Sequence, residues 1–362
     1  MNRALRVVLA CVLACGTALS GCAAAPTTTV PSDRVIALLL PESKTARYEA
    51  EDRPEFEKVV RDRCPECTVV YANADQDAAA QQQQAESALT QGAGVLVLDA
   101  VDAAAAVSIV GQAHRRGVPV IAYDRFIAGA DLDYYVSFDS RRIGRLQGEA
   151  LVRELAVGRT GPDEPPQGVL LVNGAATDPN SAALEAGVQD AFEGAPIEVL
   201  ASYDTPDWSP DKAQEWVTGQ LTQYAGRVDA VYAANDGTAG GAISAMKAAG
   251  LDPVPPVTGQ DAELAAIQRI VSGDQSMTVY KAISEQARTA AELAVRVLRG
   301  EVPVTTARVQ GVPALLLSPV PVTLDNLRRV VVDGGVYTTE EICVAPYTDA
   351  CADAGLLDGG AP

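Results

Sequence analysis

Five groups of polar residues stand where short apolar runs give out: Asp124-Arg125, Asp178 with Asn180, Asn235-Asp236, Asp261 and Lys281. A carboxylate accepts hydrogen bonds, Lys and Arg donate them, and Asn does both, so this mixture suits a ligand dense in hydroxyls. Trp208 and Tyr48 add flat apolar faces that complement the C–H face of a sugar ring. As a cleft wall, Trp208 is expected to serve binding and to contribute little to the unliganded fold. Several aspartates would repel a phosphate, and neither a phosphate loop nor a G-x-G-x-x-G fingerprint occurs, Gly237 with Gly240-Gly241 falling short of one. The single histidine, His114, stands in His114-Arg115-Arg116-Gly117, a helix C-terminus complementing its dipole. One histidine excludes a multi-histidine metal cluster and argues against a Ser/His/Asp arrangement. Paired carboxylates such as Asp178 and Asp261 could serve a glycosidase, but Arg, Asn and Lys partners would hold each ionised and leave no general acid. The chemistry predicted is binding rather than catalysis, with no cofactor and no metal.

Such groups converge only if the strands carrying them end at a common edge. Arg34 to Leu40 is a continuous apolar run, as in a strand buried on both faces of a parallel sheet. A helix follows from about Ala46 to Arg63, with Pro54 near its start or at a kink. The alternation continues through strands at Thr68–Tyr71, Gly94–Leu98, Val118–Ala122 and Tyr134–Phe138, with helices at Asp77–Gln91 and Ala103–Arg116 between them. From Asp139-Ser140 a second βα series begins, and its strand at Ala230 runs into the Asn235-Asp236 corner. There the plain reading of Asn235 is a helix cap. Next come Pro256–Gln260, a helix at Ala262–Ser272, a strand at Met277–Tyr280 and an amphipathic helix at Ile283–Arg299. The rhythm predicts an α/β fold of two doubly wound lobes. No stretch is left for a third domain, so the late elements complete lobes already begun and the chain crosses between them more than once.

The 362 residues suffice for two cores, and 48% hydrophobic with 5% aromatic content fits an Ala/Val/Leu-rich α/β protein. A net charge of −19 disfavours nucleic acid and anionic membrane faces as partners. Arg3 and Arg6, the apolar run Val7 to Leu19 and Leu19-Ser20-Gly21-Cys22 resemble a bacterial lipoprotein signal, which implies cleavage after residue 21 and lipid on Cys22. Residues 22–33, rich in small residues, Pro and Thr, read as a tether. Export leaves Cys64, Cys67, Cys343 and Cys351. In an oxidising compartment two local pairs suggest Cys64–Cys67 and Cys343–Cys351 disulfides, with three connectivities open and a four-cysteine zinc site as the alternative.

AYDRFIAGADLDYYVSFD, DAVYAANDGTAGGAI and GQDAELAAIQRIVSGDQSMTVYK together resemble the xylose-binding branch of the periplasmic sugar-binding proteins, relatives of the ribose- and galactose-binding proteins that serve ABC importers. The resemblance runs from about Arg34 to Glu341. It implies a type I periplasmic binding protein, two Rossmann-like lobes joined by three crossings around a monosaccharide. The expected lobes are residues 34–138 with 281–318 and 139–280 with 319–342, followed by a tail at 343–362. Asp124 and Arg125 match the family's DR pair and Arg47 the arginine of its R-[WY] element. Asp178 and Asn180 match GxxxDNNA, Trp208 the W-x-P tryptophan, Asn235 the AND asparagine, Asp261 the GQDA aspartate and Lys281 the VYK lysine. Two positions depart: Tyr48 stands where Trp is usual, altering a stacking wall, and Pro179 replaces the first Asn of DNN, stiffening a loop. The resemblance implies a lipid-anchored monomeric receptor, for D-xylose first, that hands its ligand to an ABC permease and its ATPase. A receptor for another aldose, or a sensor reporting to a membrane kinase or chemoreceptor, would use the same fold.

Overall fold

The computed structural model describes residues 34–157, 159, 161 and 164–357. The expected signal, tether and Cys22, together with the last five residues of the expected tail, lie outside the described residues.

The first series comprises β1 (Val35–Leu40), α1 (Arg53–Arg63), β2 (Thr68–Asn73), α2 (Ala78–Thr90), β3 (Val95–Leu98), α3 (Ala103–Arg115), β4 (Val120–Tyr123) and β5 (Tyr134–Phe138). The second comprises α4 (Ser140–Ala156), β6 (Gln167–Asn173), α5 (Pro179–Phe192), β7 (Ile197–Asp204), α6 (Pro210–Gln223), β8 (Ala230–Ala233) and α7 (Asp236–Ala248). Then follow α8 (Leu264–Val271), β9 (Thr278–Tyr280), α9 (Ile283–Leu298), β10 (Ala307–Val309), β11 (Val312–Leu317) and β12 (Val320–Val322). Three short helices, α10 (Leu324–Leu327), α11 (Thr339–Ile342) and α12 (Thr348–Asp353), close the chain.

One sheet has the order β10-β11-β5-β4-β3-β1-β2, parallel throughout except for the β10–β11 hairpin. The other region holds the parallel β7-β6-β8 sheet and the antiparallel β12–β9 pair. The chain leaves the first sheet after β5, returns after β9 through α9, and leaves again after β11. Within Pro256–Gln260 a single parallel bridge joins Val257 to Val231. Pro255 and Pro256 lack the N–H groups that a longer ladder needs.

Every residue of β1 is buried. Alternation along it sends Val35, Ala37 and Leu39 into a core with α2 and α3, and Ile36, Leu38 and Leu40 into a core with α1 and α9. Side-chain carboxylates or amides cap α2, α3, α4, α5 and α7 from Asp77, Asp102, Asp139, Asp178 and Asn235. Those capped helix starts stand at the carboxyl edges of their sheets, where open α/β folds bind ligands. Behind them, α8, α10, α11 and α12 share a smaller core around Ile267, Leu327, Ile342 and Cys351. Disulfides join Cys64 to Cys67 and Cys343 to Cys351. His114 closes α3 and pairs through Nε2 with Asp133 at 2.9 Å.

Helices α4 and α5 meet closely, because glycine permits backbone to touch backbone there. A Cβ on Gly144 would lie 1.9 Å from the Leu184 carbonyl oxygen, and one on Gly187 would lie 2.0 Å from that of Arg141. Gly144→Val must therefore push the helices apart, with an expected cost of about 1–3 kcal/mol or more. Urea denaturation should show a lower midpoint with an unchanged slope; an unchanged midpoint would mean that the contact is not a tight one.

Candidate functional site

Arg47, Tyr48, Asp124, Arg125, Asp178, Asn180, Trp208, Asn235, Asp261 and Lys281 border one cleft of about 360 Å³, together with Thr45, Ser140 and Gln260. The cleft lies between the carboxyl edge of the seven-stranded sheet and the strand ends of the second region.

Asp124 follows β4 in the left-handed backbone region, at φ 57°. Its carbonyl oxygen accepts from Tyr135 Oη at 3.0 Å and Ser137 Oγ at 2.7 Å, which fixes the turn. Its carboxylate receives Arg47 Nη1 at 3.2 Å and Gln286 Nε2 at 3.2 Å, with Lys281 Nζ at 3.6 Å. Burial alone would raise this carboxyl, but Lys281, Arg47 and Arg125 outweigh it and hold the group well below the usual carboxylate range.

Arg125 is buried among acceptors. Its Nε lies 2.9 Å from Asp178 Oδ2 and 3.5 Å from Asp99 Oδ1, and its Nη1 donates to the Ala100 carbonyl at 2.9 Å. Tyr48 Oη lies 3.5 Å from its Nη2. Burial disfavours the cation, yet Asp178, Tyr48, Asp99 and Glu42 reverse the effect and secure the charge. Asp178, the cap of α5, is pushed upward by burial despite Arg125.

Asn180 Oδ1 accepts from Ser140 Oγ at 2.9 Å, and its Nδ2 faces the Asp124 carbonyl oxygen at 3.3 Å. Asp261, at φ 98°, sits 3.2 Å from Lys281 Nζ, which also stands 5.5 Å over the Phe138 ring. Asn235 is both cap and cleft residue. Its Oδ1 accepts from the Thr238 N–H at 3.0 Å and Thr238 Oγ1 at 2.9 Å, which leaves Nδ2 for the cleft. Asp236 lies behind it, accepting from Gln275 Nε2, the Glu263 N–H and Thr278 Oγ1, each at 2.9 Å.

Trp208 corrects an expectation. It borders the cleft, but it is also a core residue, packed with Phe138, Ala175 and Met277 and only 6% exposed. Its ring edge rests on Gly174, where a Cβ would lie 2.1 Å from the ring. Local sequence does not foretell this, because Asp207 and Trp208 both turn into positive φ and so bring the ring inward.

Three further participants escaped the sequence reading. Asp52 takes Arg47 Nε and Nη2 in a fork at 2.8 Å each, and Gln286 Oε1 accepts from the same Nη2 at 2.8 Å. Tyr48–Asp52 is a π-helical turn, in which residues five apart come together, and it is this turn that sets Asp52 against Arg47. Gln286 is a polar residue on the buried face of α9. Asp99 directly follows the Val-Leu-Val-Leu of β3, as Asp124 follows β4, and among the described residues neither of its oxygens accepts a hydrogen bond.

Two groups of parallel strands whose carboxyl edges meet at one polar cleft define a type I periplasmic binding protein. The family model for the periplasmic binding protein domain matches residues 36–301. The chain is 34% identical to the D-xylose-binding periplasmic protein of Escherichia coli over 85% of its length and 92% of the relative's. It is 36% identical to the protein of that name from Haemophilus influenzae, over 76% and 82%. An ABC transporter solute binding protein from Clostridium phytofermentans, solved with β-D-glucose, superposes with a TM-score of 0.77 at 27% identity, covering 85% of this chain and all of that one. The chain belongs to the periplasmic binding protein family, in its xylose-binding branch.

Trp208→Ala should remove about 3–5 kcal/mol from the unliganded protein, as expected for a buried indole; a melting temperature within 1–2 °C of the parent would return Trp208 to the role of a cleft wall alone. A second outcome follows from the acidic pair behind the cleft. Burial pushes Asp236 up to about 7, and burial with Asp236 and Asp261 nearby pushes Glu263 up to about 8. The folded protein therefore keeps protons that the unfolded chain has released, from the ordinary carboxylate range up to those values, and stability falls as pH rises through that window. Glu263→Gln should raise the melting temperature at pH 8.5 and change it little at pH 5. A difference independent of pH would contradict the assignment.

Proposed function

We propose that this chain is a lipid-anchored extracytoplasmic receptor that captures a monosaccharide, D-xylose first, and delivers it to an ABC permease and its ATPase. Residues 34–138 with 281–318 act as one lobe and residues 139–280 with 319–342 as the other. Cys22 carries the lipid, and both disulfides stay oxidised in that compartment.

The observation that carries the reading is a single one: donors and acceptors from both regions, held by buried partners, border the same small cleft. Asp124 and Asp261 offer acceptors, Lys281 and Asn235 offer donors, and Tyr48 and Trp208 offer ring faces, the set that a pyranose presents in mirror image. The relatives named for D-xylose set the order in which sugars are tried. Ligand would favour closure because Asp124, Arg125 and Arg47 belong to one lobe, and Asp178, Asn235 and Asp261 to the other. Catalysis is not part of the reading: Asp124 is pinned ionised by its cations, and Asp178 is spent on Arg125 and on capping α5.

Calorimetry on the full chain with D-xylose, L-arabinose, D-ribose, D-glucose and D-galactose should give tightest binding for D-xylose. If no neutral monosaccharide binds more tightly than about millimolar, roughly −4 kcal/mol, the receptor reading fails. Mass measurement after alkylation without reductant should find Cys64, Cys67, Cys343 and Cys351 unmodified, and alkylation of any pair would remove that disulfide from the proposal.

A further inference from the structure

Two carboxylates compete for the same nitrogen of Arg125. Asp178 Oδ2 lies 2.9 Å from Nε and Asp99 Oδ1 lies 3.5 Å from it. Neither approach is a well-aligned hydrogen bond: among the described residues, Nε and both oxygens of Asp99 have no hydrogen-bonding partner. Asp99 is wholly buried at the end of β3, and its backbone is fixed by Gln81, whose Nε2 donates to the Asp99 carbonyl at 2.8 Å. Burial pushes its carboxyl well up from the usual range even with Arg125 beside it. A buried carboxyl that accepts no hydrogen bond is costly, so its presence here calls for a state in which it is paired.

The two acids belong to different lobes. Asp99 stands in the first, and so do the other groups that hold the guanidinium: the Ala100 carbonyl, 2.9 Å from Nη1, and Tyr48 Oη, 3.5 Å from Nη2. Asp178 caps α5, in the second. When the lobes part, Asp178 leaves with α5, and Arg125 stays with its own lobe, where Asp99 is the carboxylate already paired with it. A small side-chain shift then brings Nε and Asp99 into the hydrogen-bonding range of about 2.7–3.2 Å.

We propose that Arg125 changes partner as the lobes close, from Asp99 when they are apart to Asp178 when they meet, and that Asp99 is therefore a positioning residue that holds ligand affinity down. The inference rests on the two-lobed receptor reading above. Closure on a ligand must take Arg125 from one acid and give it to the other, so the strength of the first pairing is subtracted from the affinity observed.

The test is calorimetry on the full chain with the tightest-binding monosaccharide. Asp99→Asn keeps the shape and withdraws the competing charge, and affinity should rise about tenfold, the scale of one hydrogen bond to a charged group. Asp99→Ser, a second way to remove the charge, should act in the same direction. Asp178→Asn, which still caps α5, should weaken binding. In that background Asp99→Asn should bring no gain, because Arg125 then has no second acid to move to. Replacing a residue that only supports the fold would lower affinity or leave it unchanged. If the folded Asp99 variants bind less than about threefold more tightly than the parent, if neither folds, or if the gain persists beside Asp178→Asn, the inference is overturned and the monosaccharide reading stands. Failure of every monosaccharide to bind the parent would remove both.

Discussion

Asp124 is a buried carboxylate that the fold can hold only by surrounding it with donors. An ionised carboxyl in a protein interior costs several kcal/mol unless it is paired and hydrogen-bonded. Here the partners arrive from four distant segments: Arg47 ahead of α1, Gln286 in α9, Lys281 after β9 and Asn180 in α5. Those partners are themselves shared. Arg47 is gripped by Asp52, Lys281 faces Asp261, and Asn180 is held by Ser140. Removing any one member would leave another buried charge short of its partner, so the geometry of the cleft and the arrangement of the chain around it depend on the same balance. Arg125 repeats the pattern one residue later, spanning Asp99 and Asp178.

That balance also explains why the cleft suits a neutral polyol. Arg47, Arg125 and Lys281 are already paired with Asp52, Asp124, Asp178 and Asp261, so an anion finds no unpaired cation there. What the network leaves over is hydrogen-bonding capacity fixed in direction, which discriminates among hydroxyl arrangements at little reorganisation cost. The acidic pair Asp236 and Glu263 stands just behind, and its protonation touches the stability of the fold rather than the face that a ligand would meet.

Much of this was legible in the sequence for plain physical reasons. Short continuous apolar runs such as Val35–Leu40, flanked by polar residues, read as strands covered on both faces, and the residue at which such a run stops falls near a sheet edge; this is how Asp124, Asn235 and Lys281 announced themselves. The same rule applied to β3 would have found Asp99. Asp52 and Gln286 were hidden among the ordinary charges of helical segments, because an α-helical register does not bring Arg47 onto Asp52 whereas the π turn does. Trp208 was legible as a wall of the cleft but not as part of the core, since its inward turn depends on two residues at positive φ that no local propensity favours. The cavity that Phe126, Pro179, Val309 and Leu316 line was not legible at all: the β10–β11 hairpin joins β5 from far along the chain, and only that pairing brings Val309 and Leu316 to the wall they share with Pro179.

We propose that the carboxylate of Asp124 organises the cleft and meets the ligand. Asp124→Asn keeps the shape and removes the charge that Arg47 and Lys281 are placed to meet. Calorimetric titration of this variant with D-xylose, with circular dichroism to establish that it is folded, should show affinity lowered by about a hundredfold or more, the scale of breaking a buried charge pair. A folded variant that binds D-xylose within about threefold of the parent would contradict the account.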